Sequence, residues 1–170
     1  SMGDVMDEDD GDYSPVIEMV IAWVKKYGTS WECEGDSSNR IKFAFERGGL
    51  SYNATAAEEE PVSLTLRVQL SIIGITDELQ VHRILAVYVE GGRVGSVTYH
   101  HTRAELVWRD TLFLHEEDLE EDDSGVKSVE DMIIEALAAF DAVRKKLAAV
   151  LHHTPTLADL SVMPAQGGRC

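Results

Sequence analysis

The protein has 170 residues, of which 44% are apolar, and a formal net charge of −16. This length suits one domain with tails and a core that needs no covalent staples. The sequence has no apolar run near the ~20 residues of a membrane span, no signal-peptide pattern and no Lys/Arg stripe to neutralise a nucleic-acid backbone, so neither a membrane nor a nucleic acid is expected as a partner.

At the start of the chain, Ser1-Met2-Gly3 resembles what a protease leaves ahead of a native start, a cloning scar. Residues 4–12 carry six acids and no base, and "EEDLEEDD", residues 116–123, carries seven acids and no base. Removing those thirteen charges leaves −3 for everything else, so the folded body is close to balanced. Blocks of like charge repel themselves and stay solvated. Residues 1–13 are therefore expected as a disordered acidic tail and 116–125 as an acidic loop; the other use of such blocks is a docking surface for a basic partner.

Ser14-Pro15 reads as an N-cap with proline at the first helical position. Ile17, Val20, Ile21 and Val24 then mark one apolar helical face, and Gly28 ends the helix after Lys25 and Lys26. A β region follows. "TSWECEG" and "RIKFAFERGG" alternate on either side of the turn-rich "GDSSN", and "LSYNATA" returns after Gly48-Gly49. In "VSLTLRVQL", Val62, Leu64, Leu66, Val68 and Leu70 alternate strictly with Ser63, Thr65, Arg67 and Gln69. That period describes a strand with one buried and one wet face, as in an antiparallel sheet covered on one side.

Thr76 opens a second helix, "TDELQVHRILAVYVE", with Leu79, Ile84, Leu85 and Tyr88 inward and Gly91-Gly92 as its stop. Two strands follow, near 93–99 and 104–114. Ser128-Val129-Glu130-Asp131 resembles a capping box and starts a long third helix with Ile133, Ala136, Leu137, Phe140, Leu147 and Leu151 on one face. Pro155 ends it, and 155–170 is expected as a flexible tail. The order is α-β-β-β-β-α-β-β-α, which predicts an α+β fold: a single domain over 14–154, with a twisted antiparallel sheet of about five or six strands and three helices.

Candidate chemistry is sparse. His100 and His101 are adjacent, so on a strand they face opposite sides, and zinc needs three or four converging ligands; they read as the tip of a hairpin. No CxxC, no HxxxH and no GxSxG occurs. Cys33 suits a small buried hydrophobe in a strand. Cys33 and Cys170 form no disulfide framework and fit a reducing compartment, so a cytoplasmic location is expected. No catalytic residue, cofactor site or metal site is assigned. Tyr99, Trp108, Trp23 and Trp31 are core residues or lining of a groove, and Arg67 and Arg109 lie in strands opposite apolar neighbours. Trp108, Arg109, Tyr99 and Arg67 are the candidate contact residues for a protein or peptide.

The stretches "LQVHRILAVYVEGGRVGSVTYHHTRAELVWRDTLFL" and "SVEDMIIEALAAFDAVRKKLAAV" resemble the YbjN family of small bacterial proteins. The features that carry the likeness are a helix leading into a hairpin, Val107-Trp108-Arg109 in its second strand, and an alanine-rich terminal helix. The preceding helix and meander agree in order, so the likeness covers roughly 14–152. It implies a fold similar to type III secretion chaperones and Tir chaperones, often dimeric, and a protein-binding role under the family's loose label of sensory transduction regulator. The expectation is a non-enzymatic, chaperone-like or regulatory adaptor that forms a homodimer. The alternative is a small ligand-binding domain or enzyme whose pocket is built from residues distant in sequence.

Overall fold

The computed structural model describes residues 13–34, 38–90, 95–120, 122–151 and 156–157. Helix α1 (Pro15–Tyr27) begins where the sequence places it. The Ser14 hydroxyl accepts from the backbone N–H of Ile17 at 3.2 Å, and the chain leaves the helix at Gly28. Strands β1 (Gly28–Cys33), β2 (Arg40–Arg47), β3 (Leu50–Ala57) and β4 (Ser63–Ile73) follow as a meander. Helix α2 (Glu78–Glu90) then leads to β5 (Ser96–His100) and β6 (Glu105–Phe113). Helix α3 (Glu116–Glu120) and helix α4 (Asp122–Leu151) come next, and the two-residue strand β7 (Thr156–Leu157) pairs with the end of β4.

The fold is α+β, with four helices on an open antiparallel sheet of six strands in the order β1-β2-β3-β4-β6-β5. Strand β4 is the longest, pairing with β3 along one edge and β6 along the other. Its inward residues Leu64, Leu66, Val68, Leu70 and Ile72 are all buried. They join Trp31, Ile41, Phe43, Phe45, Tyr52, Val97, Leu106 and Trp108 from the same side of the other strands. Against this face pack the apolar stripes of α1, α2 and α4, including Trp23, Val81, Ile133, Ala136 and Phe140. Trp23 lies edge-on to Phe43 and Phe45, Phe45 stacks on Tyr52 at 5.0 Å, and Tyr52 stacks on Phe140, so one chain of rings ties α1 to α4 through the sheet. Such contacts add to the burial of each ring.

Several sequence expectations need correction. The segment 116–125 is not a loop among the described residues: Glu116–Glu120 is helical and α4 already begins at Asp122. Acids are favourable in a first helical turn, where the backbone dipole presents positive charge. Asp118 also accepts from the backbone N–H of His115 at 3.0 Å, the reciprocal arm of a capping box. Leu119 and Val126 then anchor the segment on the core. Ser128 accordingly sits inside α4 rather than at its cap, its hydroxyl donating to the carbonyl of Ser124. Glycine at 125 lets α4 approach α1 closely, since a Cβ there would collide with Met19.

In α2 the cap is Asp77, which accepts from the N–H of Gln80 at 3.2 Å, not Thr76. Leu79 is 61% exposed, and Val81 takes the inward place beside Ile84 and Leu85. Tyr13, expected in the tail, is buried edge-on to Trp31 with its hydroxyl against the Cys33 sulfur. Cys33 is partly buried and packs against the core, and Cys170 lies outside the described residues. The acidic residues 4–12, Gly91-Gly92 and the tail beyond Leu157 also lie outside them.

A single carboxylate joins three elements of the covered face. Glu130 of α4 accepts from Trp23 Nε1 at 3.0 Å and from both terminal nitrogens of Arg47 at 3.1 Å. The Arg47 hydrogen bonds, helped by Trp23, hold the Glu130 carboxyl below its ordinary value of 4.5 despite partial burial, and the Arg47 guanidinium is correspondingly raised. A depressed carboxyl stabilises the fold above its unfolded value and loses that contribution as pH falls through the folded one. The stability gap between wild type and Glu130→Gln should therefore be about 1 kcal/mol at neutral pH, discounted for the partial exposure of the pair. It should close below pH 4.5; urea unfolding at a series of pH values checks this, and a gap independent of pH would remove the clamp from the account.

Candidate functional site: the uncovered face of the sheet

The alternation that buries one face of the strands sends the other residues outward, where no described helix covers them. A continuous cross-strand row runs Glu32, Lys42, Thr55, Arg67, Arg109, Ser96 across all six strands. Beside it lie Arg40, Ala57, Thr65 and Thr111 on one side, and Ala44, Asn53, Gln69, Val107 and Thr98 on the other. Small residues lie between the long side chains of Arg40, Arg67 and Arg109 on this face, which leaves a hollow. Arg40, Thr55, Ala57, Glu59, Thr65, Arg67, Ser96, Thr98, Val107 and Arg109 line about 420 Å³ of it. A second hollow of about 370 Å³ shares Arg40, Thr55 and Arg67 and adds Lys42, Glu32, Glu34 and Arg103. Ala44, Ala57, Thr65 and Val107 are buried although they point outward, because the aliphatic stems of long neighbours cover small floors.

Arg67 and Arg109 are directly opposite one another. Side chains so placed are ~5 Å apart at Cβ, and like charges there are destabilising. The carboxylates on this face only partly offset them. Glu59 reaches Arg109 at 3.3 Å and Arg40 at 3.9 Å, and Glu34 reaches Arg40 at 3.8 Å. Glu105 is taken by Arg103 at 3.1 Å and Gln69 at 3.4 Å. Arg67 has no carboxylate partner among the described residues. The Asn53 side-chain oxygen is buried without a hydrogen-bond partner at the edge of the second hollow.

Of the four candidate contact residues, the structure brings Arg67 and Arg109 together and sends the other two away. Trp108 is fully buried and Tyr99 nearly so, both on the helix-covered face, where Tyr99 meets His82 of α2 and burial raises its phenol above the ordinary value. They therefore line no surface shared with the arginines. Period two within "VWRD" already carries this signal, since adjacent strand residues face opposite sides. Sequence reasoning missed Arg40, Lys42, Glu59, Thr55 and Thr65, whose meeting depends on the registers of four strands. His100 closes β5 opposite Glu105, and His101 lies in the following turn with its ring near Thr102. Among the described residues no three His, Cys, Asp or Glu side chains converge, and no helix is long and apolar enough to cross a membrane.

No protein-family model, curated protein or solved structure matches this chain.

The Arg67–Arg109 juxtaposition costs stability and contributes nothing to the core. Arg67→Thr should leave the fold intact and raise its stability by ~0.2–1 kcal/mol. Denaturant midpoints check this, and a loss beyond 1 kcal/mol would make Arg67 a structural residue.

Proposed function

We propose that this chain is a non-enzymatic protein-binding module, a chaperone-like or regulatory adaptor that works as a homodimer and receives a polypeptide segment on the uncovered side of its sheet. The observation that carries the reading is the central pair Arg67 and Arg109, set opposite one another on a face that no described helix covers. Guanidiniums keep their protons at every physiological pH and present donors in a fixed fork. With hydroxyls around them and Glu59 already engaged, these groups grip and orient a partner rather than pass protons.

The sheet also ends in two strands, β1 and β5, each laddered to one neighbouring strand among the described residues. Such edges are templates for pairing with a twin or an extended peptide, and both are short, which limits uncontrolled association. The twofold pairing of identical chains is the commonest soluble assembly. The likeness to the YbjN group read from sequence belongs to the same proposal: it supplies the chaperone comparison and the dimer, and a cytoplasmic site of action.

Two measurements test it. Light scattering at micromolar concentration should return twice the 18.8 kDa chain mass. Amide shifts on titration with a library of extended peptides should fall on β4, β6 and their uncovered neighbours, or along the β1 and β5 edges. A monomer on which no peptide produces saturable shifts overturns the proposal, and turnover of a small-molecule substrate in that hollow would favour the enzyme reading instead.

A further inference from the structure

We infer that the hollow around Arg67 and Arg109 is a binding site for a phosphoryl dianion. It rests on the same Arg67–Arg109 pair as the protein-binding reading and deepens it by naming the chemical group that pair would take. Three arginines, Arg40, Arg67 and Arg109, line the larger hollow against one carboxylate, Glu59, a net of +2 within a chain of −16. Distant acids act weakly on it, because exposed charges more than ~8–10 Å away are screened at physiological salt.

The placement of Arg67 requires an explanation that the fold does not supply. Its neighbour across the strands is another arginine, and no carboxylate of the described residues reaches it. An anion seated between the two guanidiniums converts a repulsive pair into a bridged one. A single carboxylate neutralises one cation, as Glu59 does for Arg109 at 3.3 Å. A phosphoryl group carries close to two charges on one tetrahedral centre above about pH 7, and its three terminal oxygens accept from several directions at once. The floor provides such donors in the hydroxyls of Thr55, Ser96 and Thr98, while Thr65 beside them is paired with Thr111 at 2.9 Å. The volume of about 420 Å³ leaves room for whatever carries the phosphoryl group, which can extend past Arg40 into the second hollow toward Lys42 and Arg103. A nucleic-acid track is disfavoured, since Glu32, Glu34, Glu59 and Glu105 interrupt the cations on this face.

The test uses the isotope-labelled full chain titrated with pyrophosphate, phenyl phosphate and a phosphoserine peptide, with the unmodified serine peptide as control. The expected result is saturable amide shifts centred on Thr65–Gln69 and Val107–Thr111. Arg67→Gln and Arg109→Gln should each weaken binding about tenfold, the loss of one charge-assisted hydrogen bond. Glu59→Gln should tighten it, because the resident carboxylate no longer competes; a purely structural role for Glu59 would not change the affinity in that direction. Affinity should also fall below about pH 6, where the phosphoryl group gains a proton. Equal affinity for the three probes assigns the site to small phosphate esters, and a tenfold preference for the phosphopeptide assigns it to a modified protein partner. Absence of saturable shifts with all three overturns the inference, as does unchanged affinity in both arginine variants. Shifts on the same amides with the unmodified peptide alone would sink this inference while leaving the binding module intact.

Discussion

Everything in this molecule depends on the register of β4. It pairs along both edges, and its side chains sort the protein into an oily half and a wet half: Leu64, Leu66, Val68, Leu70 and Ile72 one way, Thr65, Arg67 and Gln69 the other. Side-chain direction in a strand has period two, so a slip of one residue would place Arg67 under the helices and expose the leucines. Burying a bare guanidinium costs several kcal/mol, and each exposed leucine forfeits about 2 kcal/mol of burial. The register is therefore fixed strongly, and the composition of the uncovered face is fixed with it.

The helices exploit that asymmetry. α1 enters through a capped serine and proline, lays its stripe on β2 and β3, and meets α4 over the same rings. Glu130 is the polar counterpart of this packing. Trp23 needs an acceptor when buried, Arg47 needs a carboxylate at the end of β2, and one side chain from α4 serves both. Three segments far apart in sequence are thus joined by directional bonds as well as by burial, which fixes where α4 sits on the sheet. All of this lies on one side, so the other face is free to carry residues that do nothing for the fold.

How much of this was legible in the sequence follows from the range of the forces involved. The α1 cap, the alternation of β4 and the turn at His100 and His101 are local patterns that the structure keeps, although the strand expected near 93–99 is β5, Ser96–His100. The start of α4 was misplaced because the run of acids was weighed as like-charge repulsion alone. In the folded chain Asp118 caps the start of α3 while Leu119 and Val126 supply the burial. The meeting of Arg67 with Arg109 was not legible at all. It depends on β6 returning beside β4 with β5 outside it, a choice of topology that no local period encodes. The opposite facings of Trp108 and Arg109 are legible by parity, which separates the aromatic candidates for contact from the arginines.

The charge distribution gives the uncovered face its physical character. The described acids of α3 and the start of α4 cluster at the helical layer, near α1, while Arg40, Lys42, Arg67, Arg103 and Arg109 gather on the sheet. Five of the chain's fifteen basic residues thus stand on one face of a strongly acidic protein. Glu32, Glu34, Glu59 and Glu105 stand among these cations, so the excess of positive charge is local to Arg67 and Arg109 rather than spread over the whole face. Natural proteins retain locally unfavourable arrangements where function needs them and compensate elsewhere. Here the compensation is the deep core beneath β4, which can carry an arginine opposite an arginine without losing its register. The small residues beside the pair, Ala57, Thr55, Thr65, Ser96 and Thr98, leave the space between the long side chains unfilled, and this is what makes a hollow of an otherwise ordinary sheet surface.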